Sequence, residues 1–358
     1  MRRLTGLLFA AVLVSPLLLG QELSDPWGPC PATPAVVHPA AVSPLQEIMS
    51  LRGEWDFVTD PRLMGRHRMG KGPAWNEPNW EGARPIEVPG CWEAQGVGEP
   101  GMSVDWGLPF DCIPRPLNHV YMGTARYRHA VEIPAGWAGK RVWLKVGGVR
   151  TEAWFWVNQR RVAHLNTYCG TYNYDITDLV TPGQTAEIVA TVRNDTPSRK
   201  GVMAAFHRFG GFYRDIELEV TPTTRLDDVW VRGDFDRRTA LVNVSVRGAG
   251  GTLAAPAVEV IVRTADGQAA GKHRQPLSLD AEGGADTVCG VPLAVFRPWT
   301  PETPSLYTAE VTLFDGDRPV HGWHERFGVR RLEARGGRFF LNGAPFLVRG
   351  FGDDYIYP

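Results

Sequence analysis

Charge of one sign, cysteine and long apolar runs are all scarce in this 358-residue sequence, and each scarcity removes a class of protein. Lysine and arginine number 38 against 39 aspartate and glutamate, a net charge of −1, and like charges never gather into a long run. That leaves no electrostatic footprint for nucleic acid or an anionic membrane, and neither is expected as a partner. Cysteine occurs 5 times, as Cys30, Cys91, Cys112, Cys169 and Cys289, at spacings that match no metal motif. An odd count leaves at least one thiol unpaired; Cys91 and Cys112 flank one loop, where a disulfide and free thiols are the alternatives. His321 and His324 are spaced by three in a strand-like stretch, which sends them to opposite faces and away from a shared zinc. No metal and no cofactor are expected. G-x-S-x-G, P-loop and dinucleotide fingerprints are missing as well, which removes serine esterases and nucleotide-binding enzymes.

The one long apolar run lies at the N-terminus. Residues 1–20 carry Arg2 and Arg3, an apolar stretch to Leu19 and the small residue Gly20 before Gln21. This is the order of a secretory signal peptide, with an uncleaved anchor as the alternative. Removal near Gly20 is expected to give an exported protein, secreted or periplasmic, with no membrane association afterwards. Residues 21–44 are rich in Pro and Ala without a period and read as an extended leader.

What fills the rest is alternation with period two. Residues 151–180 organise it: Ala153, Phe155 and Val157 alternate with Trp154 and Trp156, and Asn158 tolerates the positive φ of a hairpin turn. Such a strand either sits inside a sandwich or carries an exposed aromatic platform. Strand patterns at 51–58, 86–88, 127–133, 142–146, 188–193 and 215–220, without a long helical pattern, make a first sandwich. Residues 90–122 read as a long loop of the kind that carries function. After a Thr/Pro hinge at 221–224 a second series follows at 228–232, 241–247, 258–263, 307–314 and 325–329, with a turn at Asp315-Gly316. It reads as an immunoglobulin-like sandwich without the inter-sheet cysteine pair. Asn342-Gly343 then marks a hairpin across 338–348.

Several stretches, in this order, resemble the N-terminal half of glycoside hydrolase family 2, the β-galactosidases, β-glucuronidases and β-mannosidases. They are Val88-Pro89-Gly90-Cys91-Trp92, the hairpin 155–162, Asp175-Ile176-Thr177-Asp178-Leu179, Gly211-Phe212-Tyr213-Arg214-Asp215-Ile216, and Phe327-Gly328-Val329-Arg330 leading to Phe340-Leu341-Asn342-Gly343-Ala344-Pro345. The resemblance implies an all-β chain: a jelly-roll sugar-binding sandwich over 45–222, an immunoglobulin-like sandwich over 223–330, and the first strand of a (β/α)8 barrel within 331–358. It implies part of an exported retaining β-glycosidase that hydrolyses O-glycosyl bonds, with a carbohydrate as partner, and it is compatible with a homo-oligomer. The alternative is a non-catalytic carbohydrate-binding protein of two sandwiches.

Family members place both catalytic glutamates on later barrel strands, so no catalytic carboxylate is expected before Pro358. Gln159 stands where the family usually has Gly. Gly352, Asp353, Asp354 and Tyr355 stand where galactosidases and glucuronidases usually carry an Asn and a His-Glu pair, so substrate identity does not carry over. Asp353 and Asp354 are adjacent and point apart on a strand, so at most one lines a site, as an acceptor of sugar hydroxyls or else as a plain loop carboxylate. His207, in an aromatic loop, is the third candidate for a sugar contact, against packing or exposure.

Overall fold

The computed structural model describes residues 35–36, 43–60, 80–103, 115–166, 170–194, 209–248 and 253–350. They contain no α-helix; strands are joined by turns and short 3-10 segments. The first sandwich packs two antiparallel sheets. One runs in the order Arg160–Asn166, Glu152–Val157, Thr185–Arg193, Thr124–Glu132, Gly53–Asp60, Arg84–Val88, and the other in the order Ala35–Val36, Tyr172–Asp175, Arg141–Val146, Ile216–Thr221, Glu47–Ser50. Alternate residues of each strand meet between them, so Trp55, Phe57, Tyr127, Leu144, Phe155, Tyr174 and Leu218 form a closed core.

Glu152–Val157 is buried along its whole length. Ala153, Phe155 and Val157 face the core, while Trp154 and Trp156 join Val189 and Trp80 in a small cluster on the other face. His164 stacks on Trp154 at 4.9 Å and 3°. These tryptophans are interior and do not form an exposed platform. At the turn, Asn158 and Gln159 both have left-handed φ, 46° and 66°. Asn158 secures the turn with its side chain, accepting the Glu187 N–H at 2.9 Å and donating to the Leu179 carbonyl at 2.7 Å. Gln159 carries the strain that glycine would relieve.

The described parts of the 90–122 stretch, 90–103 and 115–122, are more regular than a loop. Gly90–Cys91 is a short strand, Glu93–Gln95 a 3-10 turn, and Glu99–Ser103 pairs with Arg115–Val120 in an isolated two-stranded hairpin. Pro100 and Pro116 interrupt the alternation that would have revealed it, and they are tolerated in a hairpin that pairs with no third strand among the described residues. Of the two alternatives for Cys91, a disulfide or a free thiol, the structure has the free thiol. Cys91 is a free, buried thiol whose pKa is pushed up to about 12, first by burial and then by nearby Glu93.

The second sandwich packs Arg225–Asp234, Thr239–Arg247 and Ala285–Pro292 against Ala269–Pro276, Pro256–Thr264, Tyr307–Asp315 and Arg318–Phe327. Val242, Val244 and Val246 meet Val258, Val260, Val262 and Val311 in its core. The last strand starts earlier than the 325–329 pattern suggests, because His321, Gly322 and Trp323 are buried consecutively and hide the alternation. Past it, Leu332–Arg335, Arg338–Leu341 and Ala344–Phe346 form a three-stranded sheet with a turn at Asn342-Gly343, φ 53° and 88°. Asn342 ties that sheet to the second sandwich by donating to the Trp299 carbonyl at 3.0 Å. The strand expected to begin a barrel falls mainly on residues 351–358, outside the described residues.

The segment read as a hinge is packed instead. Thr221 and Thr224 are buried, and the Trp143 indole donates to Thr221 Oγ1 at 2.9 Å. The Arg225 guanidinium lies over the Trp143 ring at 4.3 Å, and Leu226 N–H donates to His321 Nδ1 at 3.1 Å. A Cβ at position 322 would come within 2.2 Å of Ser43 Oγ, so glycine lets the 43–46 turn close onto the second sandwich. His321 is thus a junction residue 1 % exposed, whereas His324 is half-buried on the same strand.

Burial, reinforced by Arg225, lowers the His321 pKa to about 4. The unfolded imidazole titrates near ~6.5, so below that pH the unfolded chain binds the proton first. The stability that neutral His321 gives is complete above pH ~6.5 and is lost as pH falls towards 4, on the order of 3 kcal/mol in all. Urea midpoints at pH 7 and pH 4.5 check this: His321→Gln should flatten the acid loss, and an unchanged acid slope in the variant would show that other groups cause it.

Candidate functional site

Two of the motif stretches converge. Gly90–Cys91 pairs with Gly211–Phe212, which pairs with Val149–Arg150, in a small three-stranded sheet at one end of the first sandwich. Trp92 then turns inward and lies on the backbone of Gly210, where a Cβ would stand 1.7 Å from Trp92 Cζ2. Only glycine allows that approach. Gly211, at φ 111°, has the Gly90 carbonyl oxygen 2.6 Å from where its Cβ would be.

Glu93 closes the site. It is 2 % exposed, and its Oε1 accepts the Trp92 indole N–H, the Asn194 amide at 3.4 Å and the Gly210 N–H at 3.1 Å; Gly210 N–H is shared with Oε2 at 3.0 Å. Asn194 reaches on to the 121–123 corner, donating to the Tyr121 carbonyl at 2.7 Å and accepting the Gly123 N–H at 2.9 Å. Arg150, 3 % exposed, lies with its guanidinium over Phe209 at 4.5 Å. Burial raises the Glu93 carboxyl to about 8, against the pull of the Gly210 N–H, the Trp92 indole and nearby Arg150. Its Oε2, with only a shared donor, is the oxygen suited to carry the proton. The Tyr127 phenol, raised by burial and then by Glu93, is fully enclosed beside them.

This arrangement fixes backbone; it presents no free carboxylate to a solute. Among the described residues no group of three His, Cys, Asp or Glu side chains comes together as a metal site. His207, Asp353 and Asp354 lie outside the described residues. Sequence reasoning missed Glu93, Arg150 and Asn194. Glu93 directly follows the Val88–Trp92 motif, and that adjacency was the one signal available, since a Gly/Pro-rich stretch has no period from which burial is read.

Glu93→Gln keeps Oε1 and should cost about 1 kcal/mol, whereas Glu93→Ala strands the Gly210 and Trp92 donors and should cost about 3 kcal/mol. The folded carboxyl holds its proton more tightly than the unfolded one, near ~4.5, so this contribution is full below that pH and is lost as pH rises through 8. Urea titrations at pH 5 and 8.5 should show wild type losing stability relative to Glu93→Gln. Equal loss in both proteins would place the titration elsewhere.

Two family models match consecutively: glycosyl hydrolases family 2, sugar binding domain, over residues 48–222, and glycosyl hydrolases family 2 over 224–330. A β-galactosidase of Aeromonas hydrophila is 27% identical over 322 residues, 84% of this chain and 30% of its own length. A β-glucuronidase of Paenibacillus borealis is 24% identical over 329 residues, 86% of this chain and 49% of its own. The crystal structure of a Bacteroides uniformis β-glucuronidase superposes with a TM-score of 0.68 at 20% identity, over 85% of this chain and 35% of that one. The chain therefore spans between about a third and a half of the length of these relatives. With the two models matched one after the other across 48–330, and the converging motifs inside the first, this chain belongs to glycoside hydrolase family 2.

Proposed function

We propose that the chain is the non-catalytic front of an exported retaining β-glycosidase, the two sandwiches that position a sugar-cleaving barrel. The observation that carries this reading is the unbroken order of the two family matches and the Leu332–Phe346 sheet anchored behind them through Asn342. That sheet and the residues after it hold the apolar side chains Leu332, Phe339, Leu347 and Val348 at exposures from 46% to 71%, which suits cover by further polypeptide. Asp353 or Asp354 takes the role of an acceptor for a sugar hydroxyl, and His207 of a contact from the first sandwich.

Retaining hydrolysis needs two carboxyl groups about 5 to 5.5 Å apart across the scissile bond. Glu93, the most deeply buried carboxyl of the site, has its oxygens engaged by Trp92, Asn194 and Gly210. The 358-residue chain alone should therefore turn over no chromogenic β-galactoside, β-glucuronide, β-mannoside or β-glucoside. The polypeptide extended along its reading frame past Pro358 should cleave at least one, with loss in Asp354→Asn or Asp353→Asn. Turnover by the short chain would move the active site into the sandwiches, and silence from the long one would favour a carbohydrate-binding protein.

Export rests on the Arg2-Arg3, apolar and Gly20 sequence. Mass spectrometry of protein recovered outside the cytoplasm should give an N-terminus at Gln21; a mass retaining Met1 would count against it.

A further inference from the structure

The outer face of the five-stranded sheet in the first sandwich carries a cleft of about 350 Å³ that the reading above does not use. Lys145 and Glu217 face each other across adjacent strands and form its floor as an ion pair at 3.2 Å. Arg52 clamps Asp215 from one side, Nε to Oδ1 at 2.5 Å and Nη2 to Oδ2 at 3.1 Å. Tyr213 forms the wall. Its ring lies across Gly148, where a Cβ would come 2.8 Å from Cζ, and meets Phe209 edge-on at 6.1 Å and 89°. Glycine at 148 clears the space that the ring occupies.

Arg214 also lines the cleft, is exposed and makes no ion pair among the described residues. Three cations, Arg52, Lys145 and Arg214, stand against two carboxylates, Asp215 and Glu217, which leaves the positive charge of Arg214 in excess. The two carboxylates are held by their ion pairs before any ligand arrives, so less side-chain freedom is lost on binding. Each keeps lone pairs that accept hydroxyl protons. One aromatic face, held acceptors for hydroxyls and a single unpaired guanidinium suit a ring that is both polyhydroxylated and anionic.

We propose that this cleft binds a uronate-bearing saccharide, its C–H face on Tyr213, its carboxylate on Arg214 and its hydroxyls on Asp215 and Glu217. Binding needs no hydrolysis, so the test is independent of the glycosidase reading. Calorimetry at low salt on the 358-residue chain should show a hyaluronan tetrasaccharide binding, with weakening as sodium chloride is raised. Arg214→Ala and Tyr213→Ala should each weaken it about tenfold or more, and Arg214→Lys should retain part of it. Thermal melts guard against misfolding: Arg214 is exposed, and its substitution should leave the melting temperature unchanged. Undiminished binding by Arg214→Ala, equal binding of cellotetraose, equal binding of sulfate alone, or no binding of the tetrasaccharide would each overturn the proposal.

Discussion

Removing a carboxyl group from water is costly unless donors replace the water, and Glu93 meets that condition by drawing its donors from different parts of the chain. The Trp92 indole, the Asn194 amide and the Gly210 N–H come together on it, so one side chain sets the register of segments more than a hundred residues apart. The small sheet of Gly90–Cys91, Gly211–Phe212 and Val149–Arg150 follows from that register. So does the seat of Trp92 on Gly210, and Asn194 carries the constraint on to the 121–123 corner from which the Thr124–Glu132 strand departs. The apolar core supplies most of the burial, but it is tolerant of small shifts; a hydrogen-bonded carboxyl in an apolar setting is not.

A second set of directional contacts joins the two sandwiches. Trp143 lies under the Arg225 guanidinium and donates to Thr221, while His321 accepts from the Leu226 backbone at the start of the second strand series. Gly322 admits the 43–46 turn against the same strand. Because these contacts are polar or stacked, each fixes an angle as well as a distance. The residues that separate the two series, 222–224, are too few and too well packed to act as a swivel.

The parts legible in the sequence are those where one face of a strand is wet and the other dry. Val242, Val244 and Val246 announce their strand because Asn243, Ser245 and Arg247 alternate with them, and the Asn158 and Asn342 turns announce themselves by residues that accept left-handed backbone. Where both faces are buried the period vanishes: the run through His321, Gly322 and Trp323 concealed the first half of its strand. Prolines masked the Glu99–Ser103 hairpin, and the 221–224 segment looked like a hinge because Thr and Pro say nothing of what packs on them. The buried polar site was the least legible part. Glu93, Arg150 and Asn194 are charged or polar residues in turns or at strand ends, where the ordinary expectation is exposure. Trp92 on Gly210 depends on a contact between residues 118 positions apart that no local pattern encodes.

A carboxyl raised to about 8 and enclosed among aromatic rings is what a general acid of a glycosidase needs, and a strongly shifted acid in a cleft is ordinarily taken as a mark of function. Geometry separates Glu93 from that role. A general acid must aim its proton at a leaving oxygen, with a second carboxyl a few ångströms beyond. Glu93 directs its oxygens at the Trp92 indole, the Asn194 amide and the Gly210 backbone, all of them fixed groups of this chain, and it is 2 % exposed. Its shift arises from the desolvation that makes it a clamp. Asp215 and Glu217, which line the cleft on the first sandwich, are in turn held by Arg52 and Lys145. They can accept hydroxyls, but their charge is already matched. Of these three carboxyl groups, then, Glu93 is held by donors of its own chain and Asp215 and Glu217 by cations, whereas retaining hydrolysis needs a pair about 5 to 5.5 Å apart across the scissile bond.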